Sequence, residues 1–120
     1  MPNFEPHKNL SDDINRNMAE SELQGGFHLK DVKEGEFLEV ETQSSRLYTI
    51  EKKADGTYIQ GHPKYCPEPT KVHINGSTWG GSILKTDFVG RGMHLEFVLP
   101  EGKTVTTSKI SEVKKFSRQN

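Results

Sequence analysis

Short runs with a two-residue hydrophobic period, separated by turn-forming residues, fill the chain from residue 35 to residue 116 and constrain its fold most. The clearest run extends from Met93 to Leu99, where every second side chain is apolar. Side chains of a β-strand point alternately to two faces, so this run predicts a strand with one buried face. No helical segment separates the runs, which excludes a fold built from alternating strands and helices.

The runs define seven predicted strands, and Asp55-Gly56 is a strong hairpin signal between the second and the third. The strands are Phe37–Glu41, Arg46–Glu51, Thr57–Gln60, Lys71–Ile74, Ile83–Val89, Met93–Leu99 and Lys103–Ile110. Residues 75–82, which are rich in glycine and serine, are expected to form a loop. We therefore predict an all-β fold, a small six- to seven-stranded antiparallel barrel.

The N-terminal residues differ from the barrel segment. Residues 1–26 are expected to form a polar arm that is flexible or contains a short helix. A helix is predicted over Ser11–Leu23, where Leu10, Ile14 and Met18 recur every four residues. The predicted domains are thus the arm at 1–26, the barrel at 35–116 and a flexible tail at 117–120.

Composition narrows the classes of function. With 31% hydrophobic and 28% charged residues, the core must be thin, as in a small barrel. The net charge of −1 argues against nucleic acid and anionic membranes as partners. No window approaches the roughly 18 apolar residues of a membrane span. The only cysteine, Cys66, cannot form an internal disulfide, and together with the absence of an apolar leader this favours the cytoplasm.

The expected ligand site is the segment Asn75-x-Ser77-x-Trp79-Gly80, with Arg46 and Arg91 on the surrounding rim. A short polar side chain, a hydroxyl and glycines that allow close backbone approach can together hold a base edge or a phosphate. The alternative is that this segment only turns a corner of the barrel. Trp79 is either a ligand anchor or a core residue.

This segment resembles part of the PilZ domain, a six-stranded barrel that in many members binds cyclic di-GMP. The pattern is Asn75-x-Ser77-x-x-Gly80 followed by a strand, a glycine turn and an alternating strand, and the resemblance covers residues 72–113. PilZ domains that bind the dinucleotide also carry an Arg-x-x-x-Arg pair, whereas here Arg46 is followed by Ile50. The glycine- and serine-rich pattern is similar, too, to small uncharacterised bacterial proteins, a resemblance that implies a barrel and no activity.

Two chemical alternatives involve Cys66. The spacing His62-x3-Cys66-x6-His73 matches no strong zinc pattern, so no metal and no cofactor is expected. Nothing in the sequence marks Cys66 as an activated nucleophile. The sequence therefore predicts a non-catalytic binding module whose ligand it does not identify, with a nucleotide and a protein as the candidate partners. The alternative is a protein-interaction subunit that uses its N-terminal arm or an edge strand, which is compatible with a homo-oligomer.

Overall fold

The computed structural model describes residues 26–80 and 83–117, in which nine strands and one 3₁₀ helix form. The strands are β1 (Gly26–His28), β2 (Glu36–Thr42), β3 (Leu47–Lys53), β4 (Gly56–Gln60), β5 (Thr70–Gly80), β6 (Ile83–Thr86), β7 (Phe88–Gly90), β8 (His94–Val98) and β9 (Thr104–Ser117). The 3₁₀ helix spans Leu29–Asp31. The predicted helix Ser11–Leu23, like most of the predicted arm and tail, lies outside the described residues.

Six strands close an antiparallel barrel, which confirms the predicted fold class. Their order is β4-β3-β2-β9-β8-β5, and pairing of β4 with β5 closes the ring. Strand β6 continues the sheet beyond β5 as one extra strand, while β1 pairs with β7. The first three predicted strands form as the meander β2–β3–β4, with Lys53 opposite Gly56 across the two-residue turn Ala54–Asp55.

Strand β9 is long because it serves two neighbours. Its first part pairs with β8, from Thr104 opposite Val98 to Lys109 opposite His94. Its second part, residues 110–117, pairs with β2. The strand thus joins the two halves of the barrel, and its inward residue Ile110 is almost fully buried.

The core follows the predicted alternation. In β8 and the residues that flank it, the four apolar side chains of the alternating run are buried, as are alternate residues of β2 and β3. The core also includes Leu29 and Val32, which precede the predicted barrel boundary at residue 35. The pair β1–β7 and the 3₁₀ helix therefore extend the hydrophobic core beyond the six barrel strands.

The predicted loop at 75–82 is wrong for residues 75–80, because β5 continues to Gly80. Strand β5 lies here between β6 and β8, and Gly76 allows the close approach, since a Cβ on Gly76 would lie 2.1 Å from the Lys85 carbonyl oxygen. The predicted strand Ile83–Val89 is instead divided at Asp87, whose φ of 66° ends β6. The Asp87 carboxylate accepts the Lys30 N–H at 3.1 Å.

Candidate functional site

Asn75 and Ser77, two of the predicted ligand residues, have their side chains bonded within the protein. Asn75 Nδ2 donates to Glu96 Oε2 at 2.7 Å. Ser77 is fully buried, and its Oγ donates to the Phe88 carbonyl oxygen at 2.7 Å. These bonds join β5 to β8 and β7, so both polar side chains stabilise the barrel.

Trp79 and Gly80 lie at the end of the hairpin that β5 forms with β6. The register of this pair shifts between Thr78 and Gly80, which places Trp79 in a β-bulge. The indole packs beside Gly92, where a Cβ would lie 3.4 Å from the ring. Trp79 is half-buried, and its Nε1 is buried without a hydrogen-bond partner among the described residues. Trp79 is therefore partly a packing residue and partly accessible.

Strand β6 supplies an exposed apolar surface that the sequence analysis did not single out. Ile83 is 57% exposed and Leu84 is 39% exposed. Within the described part of the chain, β6 pairs with β5 alone, and we call its other side the β6 edge. Two adjacent aliphatic residues directly after Gly80-Gly81-Ser82 were the available signal, but the sequence pattern fitted a longer internal strand equally well.

Arg91 lies in the turn after β7, next to the glycine that contacts Trp79. Its Nη1 is 3.5 Å from Glu112 Oε1, and both side chains are partly exposed. Arg91 and Trp79 thus come from neighbouring parts of the fold. The ion pair of Arg91 with Glu112 links the turn to β9.

Arg46 faces a different set of residues. It ends the turn between β2 and β3, where its carbonyl oxygen accepts the Thr42 N–H at 2.9 Å. Burial, with a smaller contribution from the Arg46 guanidinium, lowers the pKa of His62, and the same guanidinium partly opposes the rise that burial causes in the pKa of Cys66. Arg46 Nη1 is buried and has no hydrogen-bond partner in the described part of the chain. Among the predicted ligand residues, Asn75 and Ser77 are thus bonded to β8 and β7, whereas Arg46 lies at the turn between β2 and β3.

Cys66 is fully buried, and burial raises the pKa of its thiol above the ordinary value. A protonated, enclosed thiol is a poor nucleophile and a poor metal ligand. The Nδ1 atom of His62 accepts the N–H groups of Lys64 at 3.1 Å and Tyr65 at 3.3 Å, so that ring nitrogen is already occupied. Residues 26–80 and 83–117 contain no group of three or more His, Cys, Asp or Glu placed to hold a metal ion.

Comparisons with known proteins do not assign this geometry to a family. In the described ranges no helix has the length and hydropathy needed to cross a membrane. No protein-family model, no curated protein and no solved structure matches the chain.

Proposed function

We propose that this protein is a non-catalytic β-barrel module that binds an extended segment of another protein along the β6 edge. The observation that supports this function is the exposure of Ile83 and Leu84 on a strand that, among the described strands, pairs with β5 alone. A strand edge offers unpaired N–H and C=O groups that can bond to an added strand.

The two aliphatic side chains would supply the apolar contacts of this interface. Successive residues of a strand point to opposite faces, so Ile83 and Leu84 would contact the added segment on both faces of the hairpin. Fully burying one such side chain contributes about 1.5–3 kcal/mol. Backbone bonds would give affinity without sequence preference, and the two side chains would give selectivity for apolar residues at matching positions.

A selection experiment tests this function. A random peptide library displayed on phage is selected on the immobilised full-length protein, and the affinity of an enriched synthetic peptide is then measured. We expect Ile83→Lys to lower the affinity for that peptide about tenfold or more, because the lysine charge would have to enter an apolar contact. Leu47→Lys is the matched control, since Leu47 is 51% exposed but lies on β3 inside the sheet order. Failure to enrich any peptide, or equal binding by both variants, would refute the proposal.

A second candidate function is binding of a nucleotide such as cyclic di-GMP, which the PilZ-type pattern favours. In this proposal Asn75 would release Glu96 in order to contact the ligand, since its amide is bonded to that carboxylate. A thermal-shift titration with cyclic di-GMP and a small nucleotide panel tests it. A saturable rise in Tm that Asn75→Ala removes would support nucleotide binding, whereas unchanged Tm values would exclude it.

Both candidates suit a cytoplasmic protein. A single buried thiol needs no oxidising compartment for stability, because packing alone encloses Cys66. Protein binding along a strand edge also agrees with the near-neutral net charge of −1, since no strong field toward polyanions is needed.

A further inference from the structure

Arg46 carries a charged group whose hydrogen-bonding capacity is not met. Its Nη1 is buried without a partner in residues 26–80 and 83–117, although the residue as a whole is partly exposed. A guanidinium can donate five hydrogen bonds, and a buried donor without an acceptor is costly. Nη1 itself is enclosed, so an acceptor from solution would approach the exposed part of Arg46.

A histidine, a tyrosine and two lysines belong to the same region. The His62 ring lies 4.5 Å from the ring of Tyr65 in a tilted arrangement, and the ammonium groups of Lys64 and Lys103 lie 5.5 Å and 4.7 Å from the Tyr65 ring. We call Arg46, His62, Lys64, Tyr65 and Lys103 the Arg46 cluster. These residues come from three separate segments, and the fold therefore brings them together.

The electrostatics of the cluster indicate that its charges act on one another. Burial, Arg46 and Lys64, in that order, lower the pKa of His62. Like charges can shift a neighbouring pKa in this way only at short range, because water and salt screen more distant pairs. The backbone supports this proximity, because a Cβ on Gly61, the residue before His62, would lie 2.3 Å from the carbonyl oxygen of Leu47, the residue after Arg46.

No acidic side chain in the described ranges neutralises these cations. The ion pairs found there are Lys71–Asp55, Arg91–Glu112 and Lys115–Glu36, none of which includes a member of the cluster. The acidic residues of the adjoining segments, Glu68 and Glu101, are exposed and form no ion pair with the cluster. A concentration of positive charge with one unmet guanidinium donor is the chemistry of an anion site.

We propose that the Arg46 cluster binds an oxyanion group, a phosphate or a carboxylate, carried by a small ligand. The guanidinium would donate to two oxygens of the anion, and the ammonium groups of Lys64 and Lys103 would stabilise the bound anion by electrostatic attraction. The Tyr65 ring would orient these two ammonium groups through cation–π contacts. This site is independent of the β6 edge and does not require the function proposed for it.

Inorganic phosphate is the probe for the test, with citrate as a second arm that distinguishes a carboxylate ligand. Binding to the full chain is followed by amide chemical shifts of Lys64 and Tyr65 and by Tm, against sodium chloride at equal ionic strength. We expect saturable shifts of both amides and a rise in Tm of roughly 5–10 °C at ten times the Kd.

Three variants decide the assignment. Arg46→Gln should lower the affinity for phosphate at least about tenfold, because a charge-assisted hydrogen bond is lost. Lys114→Gln removes the same charge from an exposed position of β9 and should leave the affinity unchanged. If Arg46→Gln does not fold, Lys103→Gln replaces it, since Lys103 is exposed. Equal affinity in the cluster variant and Lys114→Gln would overturn the proposal, as would an equal response to chloride.

Discussion

Replacement of Ser77 by alanine should destabilise the barrel, whatever the ligand. The Ser77 Oγ donates to the Phe88 carbonyl oxygen at 2.7 Å, and the serine is fully buried. Ser77→Ala removes this donor where water cannot easily replace it. A buried polar group that loses its partner costs about 1–3 kcal/mol. For a domain of this size that loss corresponds to a fall in Tm of about 5–20 °C.

The chain contains a matched control for this change. Ser111 Oγ also donates to a backbone carbonyl, that of Glu41 at 3.0 Å, but Ser111 is exposed. Ser111→Ala should change the free energy of unfolding by less than about 0.5 kcal/mol, because water can bond to the Glu41 oxygen. Urea unfolding followed by the fluorescence of Trp79, the only tryptophan, measures both variants. Equal destabilisation by the two changes would refute the reasoning that burial sets the cost.

Three other changes have definite expected outcomes. Gly76→Ala should lower the free energy of unfolding in urea by about 3 kcal/mol or more, since the φ of Gly76 is +141° and a Cβ would lie 2.1 Å from a backbone oxygen. Gly102→Ala should lower it clearly less, because Gly102 has a φ of +93° but open space around it. Burial lowers the pKa of His62 below 6.5, so the unfolded chain binds the proton more tightly and the free energy of unfolding should fall as the pH drops below about 6.5. Over the same pH range, the urea midpoint of the His62→Asn variant should fall less than that of the unsubstituted protein. Ser45→Gly should raise Tm, gaining up to about 1 kcal/mol, because Ser45 has a φ of 64° in an exposed turn; an unchanged or lower Tm would contradict this.

Local patterns in the sequence predicted most of the barrel. The alternation from Met93 to Leu99 and the Asp55-Gly56 signal depend on neighbouring residues only, and both predicted elements form. Such patterns report which face of a strand is buried. They do not report which strands become neighbours, and for this reason the double pairing of β9 could not be read from the sequence.

The candidate site was less predictable, because its properties arise from contacts between distant segments. Gly76 and Gly80 resemble loop residues in sequence, but Gly76 allows β5 to lie between two strands. The sequence suggested that the Ser77 hydroxyl could bind a ligand, but in the fold this hydroxyl donates to the carbonyl oxygen of Phe88 in β7, eleven residues away. Arg46 stands alone in the sequence pattern, and only the fold brings Lys64 and Lys103 together at the Tyr65 ring. Lys103, for example, is far from it in sequence.

The pairing of β2 with β9 has a consequence for how the chain folds. Glu36 lies opposite Ser117 and Thr42 lies opposite Ile110, so this seam joins segments separated by most of the described chain. Proteins rich in such non-local pairings fold slowly, because loop-closure entropy is lost before the contacts form. During synthesis, β2 to β8 would leave the ribosome with the barrel still open. Closure must wait until residues 110–117 emerge, and the edge of β2 stays exposed to chaperones or to other nascent chains until then.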